Sequence, residues 1–114
     1  MANKTDLGTV QIRNEVVATI AALAAQEVQG VVGIWTGRFF PFFRFWGGGG
    51  PGVQVQIQDQ EVRVALSLIV EYGVSLPQVG AQVQNRVREM IERMAQLSAV
   101  EVHVSIHHVK PKRS

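Results

Sequence analysis

The sequence predicts an α+β fold, a two-layer sandwich in which a mixed sheet carries two helices on one face. Three observations lead there. Residues 53–57 and 62–70 alternate apolar and polar on either side of Asp59-Gln60, the pattern of a hairpin with one buried face. Residues 76–97 repeat apolar side chains at three- and four-residue spacing, the period of a helix with one buried stripe. Residues 100–106 alternate again. Strands that are apolar on one face only need a single covering layer, which helices supply.

Taken in order, Gly8-Thr-Val-Gln-Ile12 alternates and reads as a short first strand. A helix follows, with Val16, Val17, Ile20, Leu23, Ala24 and Val28 recurring at helical spacing. Asn14 is expected to cap it and Gly30 to stop it. Val31-Val-Gly-Ile-Trp35 reads as a second, buried strand. Residues 37–52 are too rich in Gly and Pro for regular structure and are expected to form a flexible loop. In the hairpin, Val62, Val64, Leu66, Leu68, Val70 and Tyr72 fall on one face. Ser75 and Gln78 make a capping box for the second helix, and Pro77 sits in its first turn, where a missing N–H is harmless. The apolar stripe of that helix is Val79, Val83, Val87, Met90, Ile91, Met94 and Leu97, expected to pack on the hairpin, with Glu89 and Arg93 paired on the solvated side. The predicted order is β-α-β-β-β-α-β.

With 114 residues the chain reads as one domain, 1–114, closed by a short basic tail at 110–114. A chain of this size buries roughly two-thirds of its unfolded surface, enough for a core without staples. It has no cysteine, which excludes disulfides, thiol catalysis and Cys-based zinc sites. Eleven basic and nine acidic residues give a net charge of +2, too balanced to argue for nucleic acid alone. The N-terminus lacks the apolar core of a signal peptide. The longest apolar stretch, residues 16–25, falls well short of the roughly 20 residues that span a bilayer. The expected location is therefore cytoplasmic, with peripheral contact at the inner face of the membrane left open.

No motif announces catalysis. Gly47 to Gly50 is followed by Pro51-Gly52-Val53 rather than by the Lys and Ser/Thr of a phosphate loop, so a hinge is expected and no nucleotide. His103 and His107 share the polar face of the last strand, but four residues of strand is about 13 Å, too far for one metal ion. No catalytic residue, metal site or cofactor is assigned. Gln54, Gln56, Arg63, Glu101, His103 and His107 form a polar sheet face expected to be open to water or used for wet, reversible contacts. Arg86, Arg88 and Arg93 with the basic tail offer an alternative, a nucleic-acid-binding module, although Glu89 and Glu92 interrupt the positive field.

The sharpest feature is compositional. All five Phe residues of the chain (Phe39, Phe40, Phe42, Phe43, Phe45) and Trp46 lie together, interleaved with Arg38 and Arg44. Fully burying one such ring is worth roughly 1.5–3 kcal/mol, so water is a poor environment for six. Three destinations suit them: another copy or partner, the open end of the chain's own core, or a lipid headgroup interface. Pro41 disfavours a continuous in-plane membrane helix. Residues 38–46 are therefore the candidate interaction loop.

The ordered segments also resemble a known family. Gly8-x-Val10-x-Ile12, Val16-Val17-x-x-Ile20-Ala21, Glu27-Val28-Gln29-Gly30-Val31, Gly52-Val53-x-Val55, the strand ending in Tyr72-Gly73, Val83-Gln84-x-x-Val87 and Val100-x-Val102-x-Val104 are similar to the alkaline shock protein family of Gram-positive and related bacteria. Coverage is about residues 8–109, outside the aromatic loop. Gln29 stands where the family commonly has Pro, and Arg13 where it often has a small capping residue. The resemblance implies a non-enzymatic, cytoplasmic protein of the envelope stress response. Some members self-assemble and some gather at the inner face of the membrane through a membrane-anchored partner, so a scaffold that forms a homo-oligomer, with such a partner, is the expectation here.

Overall fold

The computed structural model describes residues 10–35, 52–97 and 99–111. The order is α1 (Asn14–Gln26), β1 (Val31–Ile34), β2 (Val53–Gln58), β3 (Glu61–Glu71), α2 (Leu76–Ala95) and β4 (Ala99–Lys110). β3 is the centre of the sheet. β4 lies parallel to it along its whole length, from Glu61↔Ala99 to Glu71↔Lys110. The other side of β3 is shared end to end by β1 and β2, both antiparallel. β1 pairs Val31↔Val70 and Ile34↔Leu68, and β2 continues the same edge from Val53↔Leu66 to Gln58↔Glu61. The sheet is thus mixed and its two helices lie on one face, as the sequence predicts.

The buried face of β3 is Val62, Val64, Leu66, Leu68 and Val70, the period-two set. Tyr72 does not belong to it. It follows the last residue of the strand, where alternation no longer applies, and is 64% exposed. The β2–β3 hairpin turns at Asp59, whose φ of 58° lies in the left-handed region that Asp tolerates. β1 is half-buried rather than buried, because it covers only the end of the sheet, and Val32 faces solvent.

In α2 the Ser75 side chain accepts a hydrogen bond from the Gln78 N–H at 3.4 Å, and Pro77 occupies the first turn. The helix stops at Gln96, which adopts a left-handed φ of 56°. Its buried stripe steps by four: Val79, Val83, Val87, Ile91 and Ala95. Met90 is half-buried at its border. Met94 falls one residue, about 100°, off the stripe and is 59% exposed, so it is not core.

α1 buries Val17, Ala18, Ile20, Ala21, Ala24 and Ala25. Four of these are alanines, which let the helix lie close to its neighbours. Two expectations fail here. Val16 and Leu23 are exposed, because apolar residues run nearly all round this helix and the spacing alone does not single out the packed face. The cap is Arg13, with no side-chain cap bond, while the Asn14 amide instead donates to the Val55 carbonyl at 3.3 Å. Gly30, with φ of +101°, turns the chain into β1, and a Cβ there would press on Val79 Cγ2 at 3.1 Å.

The expected first strand is also corrected in its described part. Residues 10–12 pair with no strand, and Val10 is 82% exposed. Alternation over so few residues makes a strand only when a ladder partner is available, and the Val55 carbonyl on the neighbouring edge is already taken by Asn14. Gly8 and Thr9 lie outside the described residues. Among the described residues the observed order is therefore α-β-β-β-α-β.

Candidate interaction surface

Arg38, Phe39, Phe40, Phe42, Phe43, Arg44, Phe45 and Trp46 lie outside the described residues. The two ends that carry them are described, and they meet. The Trp35 N–H donates to the Ser67 carbonyl at 2.8 Å, and the Ser67 N–H donates to the Gly52 carbonyl at 2.9 Å. One residue of β3 therefore holds both ends, and the ladder passes from β1 to β2 across the break. Gly52 is required at this neck. Its φ is +84°, and a Cβ would stand 2.3 Å from the Trp35 carbonyl oxygen and 2.5 Å from Ile34 Cγ2.

Among the described residues no aromatic side chain is buried behind this neck. Every buried hydrophobic side chain among the described residues is Val, Ala, Ile or Leu. No polar or charged residue is buried among them either.

The sheet face opposite the helices begins at the same neck. Gln54, Gln56, Arg63, Glu101, His103 and His107 are all exposed on it, as their alternation predicts. Glu101 is its electrostatic hub: Arg63 Nε lies 3.4 Å from one carboxylate oxygen and His103 Nε2 lies 2.9 Å from the other. These groups are well exposed, so solvent screens the pairs. Trp35 reaches across β3 and stacks on His107 at 6.1 Å between centroids and 7° between planes, and on His108 at 5.9 Å and 27°. Both histidines face one indole because β4 slips register between the partners of Leu68 and Ile69. Periodicity alone places Trp35 in a buried strand and does not single out His108. The break in alternation at His107-His108 is the signal that marks the irregularity.

The helix-2 arginines are occupied. Arg86 donates through Nε and Nη2 to Glu27 Oε1 at 2.9 and 2.6 Å and lies 3.6 Å from Glu89. The hydrogen bond and charge of Glu27 raise its pKa above the usual arginine value. Arg93 pairs with Glu89 at 3.3 Å, as the i,i+4 spacing predicts, and Arg88 donates to Asn85. Two of the three positive charges proposed for phosphate are thus paired with carboxylates, which weakens a nucleic-acid face on this helix.

The sequence model of the alkaline shock protein family, described as having a cell envelope-related function, matches residues 2–111. The chain belongs to the alkaline shock protein family. The sequence segments resemble the same family, and the matched range spans both sides of the aromatic segment. The uncharacterized protein YqhY of Bacillus subtilis (strain 168) is 36% identical over 106 residues, covering 90% of this chain and 77% of YqhY. Among solved structures, a MamM CTD variant in its nickel form superposes with a TM-score of 0.52 at 16% identity, covering 84% of this chain and 99% of that one. A second MamM CTD variant gives 0.53 at 17% identity, covering 84% and 98%. At such identities the likeness concerns the fold alone: this alkaline shock family chain shares its α+β architecture with these domains.

Proposed function

We propose that this alkaline shock family chain is a non-enzymatic interaction module of the envelope stress response. In this reading it self-associates and docks at the inner face of the cell membrane through a partner, with residues 38–46 as its adhesive segment. The observation that carries the proposal is the neck at Trp35 and Gly52. A segment holding every Phe of the chain is inserted at one point of an edge strand, and the buried side chains among the described residues are all aliphatic. Rings left over from the core gain most by burial against another molecule. No helix among the described residues is long and apolar enough to cross a membrane, so in this reading attachment falls to a partner. Arg38 and Arg44 keep the segment soluble when unpaired and stack on rings when paired.

The test replaces Phe39, Phe40, Phe42, Phe43, Phe45 and Trp46 together with Ser. Sedimentation mass against concentration should then fall, through loss of the assembly that the rings make, with a cooperative melt at nearly the original temperature. A large loss of thermal stability in the isolated monomer would place the rings in the core and overturn the reading.

A further inference from the structure

We infer that the free edge of β4 is a docking site for a second copy of this chain, the two β4 strands pairing antiparallel about Val104. The inference rests on the self-association proposed above and gives it a surface separate from the aromatic segment. Among the described residues β4 has one partner, β3, and is the outermost strand on its side of the sheet. Backbone groups of successive strand residues point to alternate sides. The Val102 carbonyl accepts from the Gln84 amide of α2 at 3.2 Å, which marks the outward set. Val100, Val104 and Ile106 share its parity and aim their N–H and C=O groups outward too. Among the described residues, that single carbonyl is the only member of the set with a partner. Sheets commonly blunt such edges with Pro, a bulge or a covering loop. Residues 100–106 have no Pro, and the register slip comes only after Ile106.

Beside this edge lies an open groove of about 350 Å³, walled by Leu76, Gly80, Ala81 and Gln84 of α2 and reaching Val104 and Ile106 of β4. Glycine is a poor choice in the first half of a long helix, yet a Cβ at Gly80 would meet nothing within 4 Å. An added strand finds backbone partners on β4 and room for its apolar side chains in the groove, the two requirements of strand addition.

Charge selects the second copy and its register. A twofold through Val104 sets Val102 opposite Ile106 on the apolar side. On the open face it sets Glu101 opposite His107 and His103 opposite Ser105. Moving the axis to His103 opposes that histidine to itself, and moving it to Ser105 opposes His103 to His107. An axis through Val102 sets Ile106 opposite residue 98, outside β4. The Val104 register keeps like groups apart, faces a carboxylate with an imidazole and lays the partner strand along the groove.

The chain has no cysteine, so single cysteines report pairing without background. Full-length Val104→Cys and Val100→Cys are oxidised mildly and the disulfide dimer is quantified. Directly opposed Cα atoms lie about 5.5 Å apart in a hydrogen-bonded antiparallel pair, within disulfide reach. The two residue-100 positions would be separated by about 27 Å. Val104→Cys should cross-link at least tenfold faster than Val100→Cys; equal or reversed rates overturn the proposal. Gly80→Arg fills the groove from open space. It should weaken dimerisation at least tenfold without lowering the melting temperature, and an unchanged mass-concentration curve overturns the proposal. Both measurements are repeated in the chain with the six loop rings changed to Ser. Persisting Val104→Cys cross-linking supports an independent edge, and its loss there overturns one. Failure of the aromatic reading shows separately, as an unchanged mass of the six-serine chain. A chain that stays monomeric and cross-links at neither position overturns the pairing and leaves the edge to a strand from a different protein.

Discussion

Gly52→Ala tests the neck that separates the aromatic segment from the sheet. The substitution forces a residue with a Cβ into the left-handed region, at roughly 1–2 kcal/mol. It also brings that Cβ to 2.3 Å from the Trp35 carbonyl oxygen, a contact that only displacement of the backbone relieves. Displacement sacrifices the hydrogen bond from Ser67 N–H to the Gly52 carbonyl, worth about 1 kcal/mol. The expected cost is about 2–3 kcal/mol. At about 4 °C per kcal/mol, where the ranges for small and mid-sized domains meet, the melting temperature should fall by about 8–12 °C. Gly33→Ala is the control, since a Cβ there meets nothing within 4 Å and its φ is not positive. Both substitutions remove the same glycine freedom from the unfolded chain, so their difference isolates the neck. Differential scanning calorimetry at low protein concentration supplies the comparison. If Gly52→Ala melts with Gly33→Ala, the two ends are not held together on Ser67 and the reasoning about an inserted segment fails.

Two further substitutions probe α2. Ile91 is a fully buried member of the stripe, so Ile91→Ala should cost about 2–5 kcal/mol and lower the urea midpoint without changing the slope; an unmoved midpoint means that the helix docks differently. Gly80→Ala should do the reverse, raising the stability of the monomer by about 1 kcal/mol, because it improves helix propensity and its Cβ enters open space. A lower melting temperature for that variant would show that the groove wall is already in contact within one chain.

The elements that were legible in the sequence are those whose signals are local. The β2–β3 hairpin follows from unbroken alternation around Asp59, and the start of α2 from Ser75, Pro77 and Gln78. The buried set of β3 follows from its period of two. What escaped depended on contacts between distant residues. Val16 and Leu23 have the same spacing as the packed residues of α1, and only the positions of the sheet and α2 decide which side is covered. The Asn14 amide is a good cap by residue type, but it found the Val55 carbonyl, 41 positions away. Residues 10–12 alternate as well as any strand and lack a ladder. The open-face stack of Trp35 on His107 and His108 needs β1, β3 and β4 in one sheet, which no window of sequence contains. The candidate loop itself was visible from composition, while the way its two ends are held was not.

The collinearity of β1 and β2 gives this domain a splice point. Because Ser67 ties both sides of the break, the length of what lies between Trp35 and Gly52 is nearly decoupled from the stability of the sandwich. Loop-closure entropy rises only as the logarithm of length, so doubling the intervening segment costs about 0.6 kcal/mol. Such a site can be lengthened, shortened or exchanged without redesigning the scaffold. In the proposed reading, the same sandwich can then display different cargo at one address, and specificity can change through that segment while the core sequence stays as it is.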